Sequence, residues 1–377
     1  MSVKRRLLVL TSTFPKSPTD GTPSFVLDIA REHAKHFDVW VITPMVTGAK
    51  RCEVVDDVKV TRFHYLWPLV ENVADGSIMD NIKKNKYQML QVPFLIVSFC
   101  CEFLFRVLIW RPDACHAHWI LPGGLVAKLA PWVPTIITAH GGDVYGLNGR
   151  TIGRLKNWIL ADSVVTTVSH DMRQSLIDSG LSRDARVIPM GVRLQIVEEV
   201  KTPKQVVFVG RLVEKKGLEY LLEAVKGVDC QLVVIGDGPL RLKLEGAAPK
   251  NAVFLGQISK RKVMRTVAES EIMVIPSIVA ENGDREGLPV TLMEAAVCKT
   301  AVVASNISGI NEVVVHNESG LLVQERDSVA ISNAVVYLLA DPKVRGALAD
   351  SLHQRAGDFN VELVAAKYRS VIEGVMS

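Results

Sequence analysis

Aromatic residues are scarce in this sequence, at 6% of 377 positions, and its charges nearly cancel, leaving a formal +4. So small an excess does not on its own argue for nucleic acid, and no nucleic-acid partner is expected. The six cysteines, at 52, 100, 101, 115, 230 and 298, form no Cys-x-x-Cys pair and no zinc-ligand spacing. Reduced structural thiols are therefore expected, not a disulfide framework. The start, Met1 to Leu10, has a basic head, but its apolar run stops at Thr11, too short for a signal-peptide core. It reads as a first strand, and the protein as cytoplasmic. That strand runs into Thr11-Ser12-Thr13-Phe14-Pro15 without a Gly-x-Gly-x-x-Gly, which speaks against a nicotinamide oxidoreductase.

What is present is a globular composition on the apolar side, 48% hydrophobic and 22% charged, in a chain long enough for two domains. Apolar β-branched runs alternate with helical patterns, the βαβ signature of parallel sheets covered on both faces. Strands are predicted near 6–12, 38–43, 58–64, 113–117, 134–139, 163–168 and 186–189, then near 205–210, 231–236, 252–255, 272–276, 301–305 and 320–323. The helices between them include 23–36, 217–226, 259–269, 289–298, 328–340, 343–355 and 361–375. These divide the chain into a first domain over 1–190, a linker over 191–204 that ends near Pro203, and a second domain over 205–358. Residues 359–377 form a last helix.

One segment departs from the alternation. Asn81-Ile82-Lys83-Lys84-Asn85-Lys86 leads into Tyr87 to Trp110, which is almost wholly apolar. Glu102 and Arg106, spaced i,i+4, support a helix but are costly in hydrocarbon, so a spanning helix is not expected. A buried helix of the first domain is the plainer reading. The other is a surface helix with its lysines on acidic headgroups and its apolar side in lipid.

The run Glu286-Gly287-Leu288-Pro289-Val290-Thr291-Leu292-Met293-Glu294 carries the most chemistry. Pro289 suits the first turn of a helix, because its φ is already set and its missing N–H had no helical partner. Glu286 then lies in the loop before that helix and Glu294 more than a turn inside it. The amides of Gly287 and Leu288 would sit at the positive end of the helix dipole, where a phosphate can bind. Two hydroxyl-accepting carboxylates and an anion site meet the needs of a nucleotide-sugar. Taken alone, the spacing favours the plainer reading, a solvated glutamate and a helix-surface one.

The remaining motifs decide between these. Asp113 to Gly124 reads Asp-Ala-Cys-His-Ala-His-Trp-Ile-Leu-Pro-Gly-Gly, and Thr138-Ala139-His140-Gly141-Gly142-Asp143-Val144-Tyr145-Gly146 follows. Then come Val209-Gly210-Arg211-Leu212 with Lys215-Lys216-Gly217, Gly236-Asp237-Gly238-Pro239, and Pro276-Ser277 ahead of the paired glutamates. In this order they resemble the family 4 glycosyltransferases. The resemblance implies an α/β protein of GT-B fold, with two Rossmann-like doubly wound parallel-sheet domains facing a central cleft. It also implies retaining transfer of a hexose from a nucleotide-diphosphate sugar to a glycan or lipid-linked acceptor, in polysaccharide or glycolipid synthesis. The last helix is expected to cross back onto the first domain.

By the same resemblance, Arg211 and Lys216 bind the diphosphate beside Gly210, Glu286 accepts from donor-sugar hydroxyls and Glu294 from the ribose. Gly238 allows the nucleotide near the backbone, and the base lies against the strand from Val253. Gly21 approaches the diphosphate, in Asp20-Gly21-Thr22 where relatives commonly carry a glycine pair. His140 lies close to the reacting sugar. Asp143 either holds its loop or faces the acceptor. His116 and His118 form a His-x-His pair with no third metal ligand evident, read as strand packing and loop support. No metal or other cofactor is expected if Arg211, Lys216 and the helix dipole carry the phosphate charge. The competing readings are another GT-B enzyme, an epimerase or phosphorylase, or an inactive nucleotide-sugar binder.

Overall fold

The computed structural model describes residues 4–377 except 18–21, 23, 77, 146–148, 183, 194–196, 198, 282, 284 and 287, and omits the side chains of 80, 83 and 84. The chain forms two compact units, Met1–Gly191 with Val361–Ser377, and Val192–Asn360.

The first unit is built on eight strands: β1 (Arg6–Leu10), β2 (Asp38–Pro44), β3 (Cys52–Val55), β4 (Val58–Phe63), β5 (Ala114–His118), β6 (Thr135–Ala139), β7 (Val164–Thr167) and β8 (Arg186–Val187). Their order is β3-β4-β2-β1-β5-β6-β7-β8, parallel throughout except for the β3–β4 hairpin. The run Leu7-Leu8-Val9-Leu10 shows why β1 is central. Leu8 and Leu10 enter one core with Ile42 and Phe99, while Leu7 and Val9 enter the core on the opposite face with Val41. A strand covered on both sides must be apolar at every position. Of the two hairpin strands, β4 was expected near 58–64, and β3, which makes it one arm of a hairpin, is an addition. The turn residues Asp56 and Asp57 both take positive φ, 48° and 65°, as a tight twisted hairpin turn requires, without the usual glycine signal.

Helix α1 (Phe25–Ala34) covers one face and α2 (Val92–Trp110) the other. Of α2, Leu95, Phe99, Phe103 and Val107 are buried, a spacing of four that keeps one stripe on the sheet. Residues 86–110 are long and apolar enough to cross a bilayer by length and composition, yet only 22% of that apolar window is buried. The expected buried helix is thus buried along one side alone. Arg106 Nε donates to Glu102 Oε1 at 2.7 Å, the pair that the i,i+4 spacing anticipates.

The second unit carries β9 (Gln205–Val209), β10 (Gln231–Ile235), β11 (Ala252–Gly256), β12 (Ile272–Ile275), β13 (Ala301–Ser305) and β14 (Leu321–Val323). They form an all-parallel sheet ordered β11-β10-β9-β12-β13-β14. Helix α3 (Leu218–Ala224) follows β9 and α4 (Val290–Val297) precedes β13. Residues 201–202, read from sequence as linker, are tied to this unit. Lys201 Nζ donates to Ser270 O and Thr300 Oγ1, and Thr202 N to Glu269 O. The last helix, α5 (Val361–Val375), belongs to the first unit, where Val364, Tyr368 and Ile372 share a core with Leu7 and Val9.

Candidate functional site

At the carboxyl ends of β9 and β10 two loops run backbone against backbone. Gly210 N donates to Ile235 O and Leu212 N to Asp237 O, each at 3.0 Å. Glycine is what permits this. A Cβ on Gly236, whose φ is +134°, would stand 1.9 Å from Gly210 O, and one on Gly238 would stand 2.4 Å from Leu212 O. The turn Glu214–Lys216 then ends at Gly217, whose φ is +60° and whose added Cβ would lie 1.9 Å from Pro276 O. Ile278 N donates to Lys215 O at 2.9 Å. The lysine turn is therefore pinned to the loop that follows β12, and that loop leads to Glu286.

This brings together residues 70 positions apart. Lys216 Nζ lies 3.2 Å from Glu286 Oε1, with side-chain exposures of only 15% and 11%. Burial alone would raise the Glu286 carboxyl, but Lys216 and Lys215 more than offset it and hold it below its usual range. Glu294 is buried in α4, and for it burial prevails over Lys260 and Lys216, so its carboxyl is raised. The two glutamates thus differ electrostatically: Glu286 is held as an anion, whereas Glu294 binds its proton more tightly than a free carboxylate. Lys260 Nζ, 3.9 Å from Glu294 Oε1, was not among the sequence candidates. Nothing in its local pattern marks it, and only the packing of its helix beside α4 does.

Pro289 is the N-cap of α4, one residue earlier than the first-turn place expected for it, and it offers no capping side chain. Leu288, just ahead, is buried. Gly287 lies outside the described residues, as does Gly21. The hydroxyls of Ser277, Thr291 and Ser305 are covered and meet no hydrogen-bond partner among the described residues. All three sit at or just past the carboxyl-end rim of the sheet or in the first turn of α4, where open α/β sheets take their ligands. Val253 is placed differently. It stands mid-strand on the edge strand β11, partly exposed beside Leu255, whereas Gly210, Gly236 and Gly256 cluster at the strand ends.

In the first unit His140 directly follows β6. Asp143 Oδ1 accepts from His140 N at 3.0 Å and Oδ2 from Ile120 N at 2.8 Å, and the residue is 3% exposed. Both carboxylate oxygens are thus engaged by backbone amides, and of the two roles left open for Asp143 the structure displays loop support. His118 Nδ1 lies 3.0 Å from His140 Nε2, and the His140 ring packs against Phe25 and Trp119, at 5.0 and 4.8 Å between centroids. His140 Nδ1 is covered and has no hydrogen-bond partner among the described residues. Burial, aided by His116, lowers His140 to about 3, so the ring is neutral near pH 7. His118, expected to support the strand and loop, also touches the ring of His140 directly. The His-x-His pair singled out His118 in the sequence, but nothing in it pointed to His140. Among the described residues no group of three His, Cys, Asp or Glu side chains is arranged to hold a metal ion.

Comparison with known proteins matches both units. Residues 19–196 match the family model described as Glycosyltransferase Family 4, and residues 194–355 match that described as Glycosyl transferases group 1. An uncharacterised glycosyltransferase of Methanocaldococcus jannaschii is 27% identical over 270 residues, 69% of this chain and 75% of the relative. The glycogen synthase of Mycobacterium tuberculosis is 27% identical over 285 residues, 68% of this chain and 67% of its own. Sucrose-phosphate synthase from Thermosynechococcus elongatus superposes with a TM-score of 0.82 at 19% identity, covering 99% of each chain. Anabaena HepE, solved in complex with UDP-glucose, superposes with a TM-score of 0.73 at 15% identity over 98% of this chain and 99% of that one. At those identities the two structures establish a shared fold.

Proposed function

Because the chain is a family 4 glycosyltransferase of GT-B fold, we propose that it moves a hexose from a nucleotide-diphosphate sugar to a glycan or lipid-linked acceptor, with retention of anomeric configuration. The product belongs to polysaccharide or glycolipid synthesis, the setting that the glycogen synthase relative supports. The observation that carries this reading is the Lys216–Glu286 pair at 3.2 Å, beside glycine loops packed backbone against backbone.

In this reading Lys216 and Arg211 take the charge that builds on the departing diphosphate, Lys as a compact cation and Arg as a two-pronged donor. Gly210, Gly238, Gly287 and Leu288 are assigned to give it backbone room and amides. Gly21 is assigned to the same group. Glu286, kept ionised, accepts from the sugar hydroxyls, and Glu294 from the ribose. The base lies along Val253, and His140, neutral, meets the sugar. Asp143 keeps the His140 loop in place on the acceptor side. The C1–O bond breaks with its electron pair going to the diphosphate. The acceptor oxygen then bonds C1 from the same face, and its proton passes to the leaving phosphate oxygen. This route requires no metal and no further cofactor.

Measuring the anomer of the product by NMR tests the stereochemistry. Retained configuration is expected, together with loss of turnover in Lys216→Ala and Glu286→Ala while both keep their thermal transition. An inverted product, or wild-type rates in both variants, would contradict the assignment. We place the protein at the inner face of the cell membrane, in peripheral contact with acidic lipid, where a lipid-linked acceptor is presented.

A further inference from the structure

One surface of the first unit is unlike the rest. Along α2 and the turn before it, Leu90, Phe94, Val97, Phe105 and Leu108 are exposed at spacings of three, four and eight, the face opposite the buried stripe. Leu108 is 69% exposed and Phe94 54%. A helix on a water-facing surface ordinarily puts polar residues there. The only charged residues between 92 and 110 are Glu102 and Arg106, and they pair with each other, the guanidinium lying 4.1 Å from the Trp40 ring centroid. The stripe therefore has no unpaired charge of its own helix.

A second element extends it. The loop Trp67-Pro68-Leu69-Val70 leaves Trp67, Leu69 and Val70 exposed, Leu69 to 89%. It is held to the start of α2 by Gln91. Gln91 Nε2 donates to Val70 O at 3.0 Å, and its Oε1 accepts from the amides of Asn72 and Val73. Two segments about 20 residues apart in sequence are thus tied into one apolar platform, rather than exposing single scattered leucines.

We propose that this platform, α2 with the Trp67–Val70 loop, is a membrane-docking surface that sits in an anionic lipid bilayer, so that the acceptor is lipid-linked. The proposal rests on the glycosyl-transfer reading and narrows its acceptor class. Charge and side-chain type favour lipid over a second copy of the chain. A helical seam between proteins is flanked by charged positions that set its register, and an interface carries a polar rim. Here the only charges the helix itself offers between 92 and 110 are the self-paired Glu102 and Arg106. Instead Tyr87 and Trp67, amphipathic rings suited to the headgroup layer, stand near one end of the stripe. Exposed Lys86 lies beside them, with Lys83 and Lys84 preceding it in sequence, the composition that anionic headgroups attract.

Co-sedimentation with phosphatidylglycerol-containing vesicles tests it, using the wild type, Phe94→Glu/Leu108→Glu, Leu69→Glu, and a triple Ala variant of Lys83, Lys84 and Lys86. The wild type is expected to bind these vesicles and to bind pure phosphatidylcholine much more weakly. Each apolar-to-Glu variant should lose bound fraction about ten-fold, and the lysine variant should lose it in a salt-dependent way. All should keep the wild-type thermal transition and donor hydrolysis, because the changed side chains are exposed and far in sequence from the donor loops. Wild-type binding that survives the Glu substitutions would overturn this surface while leaving a peripheral location intact. A wild type that binds no vesicle, or a concentration-dependent dimer abolished by the same substitutions, would overturn the membrane reading itself. None of these outcomes touches the transferase assignment, which stands or falls on donor hydrolysis.

Discussion

At the scale of single residues the consequences turn on which charges are compensated. Glu286 is largely covered and is held anionic by Lys216 and Lys215. Replacing Lys216 with Met leaves Lys215 alone to oppose that burial, so the Glu286 carboxyl is expected to titrate higher than in the wild type, read by carbon NMR of the side chain. Turnover should fall by about two to three orders of magnitude, the usual cost of removing one group aimed at developing charge. His118 gives a second residue-scale prediction. Asp143 already ties the two loops through backbone amides, so the His118–His140 contact acts chiefly on the ring. His118→Ala should lower kcat more than it raises KM, and His118→Asn, which can place an amide near the lost Nδ1, should recover part of it. Equal kcat values across the three proteins would assign His118 to packing alone. Neither contact was legible in the sequence. Lys216 and Glu286 are far apart along the chain, and His118 reaches His140 only through the β5–β6 register, where His118 faces Thr138. The motif order pointed to the residues but could not state their distances.

At the scale of elements, the strands were the most legible part, because an apolar β-branched run of five between turn residues has few other uses. The elements missed are instructive. Strand β3 was missed although its partner β4 was expected, because the hairpin turns on Asp56-Asp57, which lacks the glycine that announces such a turn. Helix α2 was recognised as a helix, but its two faces are equally apolar, so no periodicity could tell the buried side from the exposed one. The glycine loops allow a test at this scale. Gly236→Ala forces a Cβ to within 1.9 Å of Gly210 O at a φ of +134°. We expect a loss of roughly 3 kcal/mol or more of stability, with weakened nucleotide affinity, in urea unfolding and calorimetric titration. Gly246→Ala, in open space on a nearby helix, serves as the neutral comparison.

At the scale of the whole molecule, the two-unit division and the return of α5 to the first unit followed from chain length, the double run of βαβ signals and the family resemblance. The polar interior of the first unit did not. His33, His116 and His140 are each lowered to about 3, with burial the first cause. Unfolded, such side chains titrate near 6.5, so between those values the unfolded chain binds more protons and stability falls as pH falls. Between pH 7 and pH 5 each contributes a loss of roughly 2 kcal/mol. Urea midpoints should drop accordingly, and His33→Gln should make the drop shallower. A midpoint that is flat from pH 7 to 5 would show that these histidines are not held neutral.

The most direct test of the central claim is calorimetric titration with uridine, guanosine and adenosine diphosphate sugars, on the wild type and on Lys216→Ala and Glu286→Ala. The account predicts that a donor binds the wild type and is bound far more weakly by both variants, whose thermal transitions are unchanged. If no donor bound the wild type, or if both variants bound it equally well, the site assigned to these loops would be wrong.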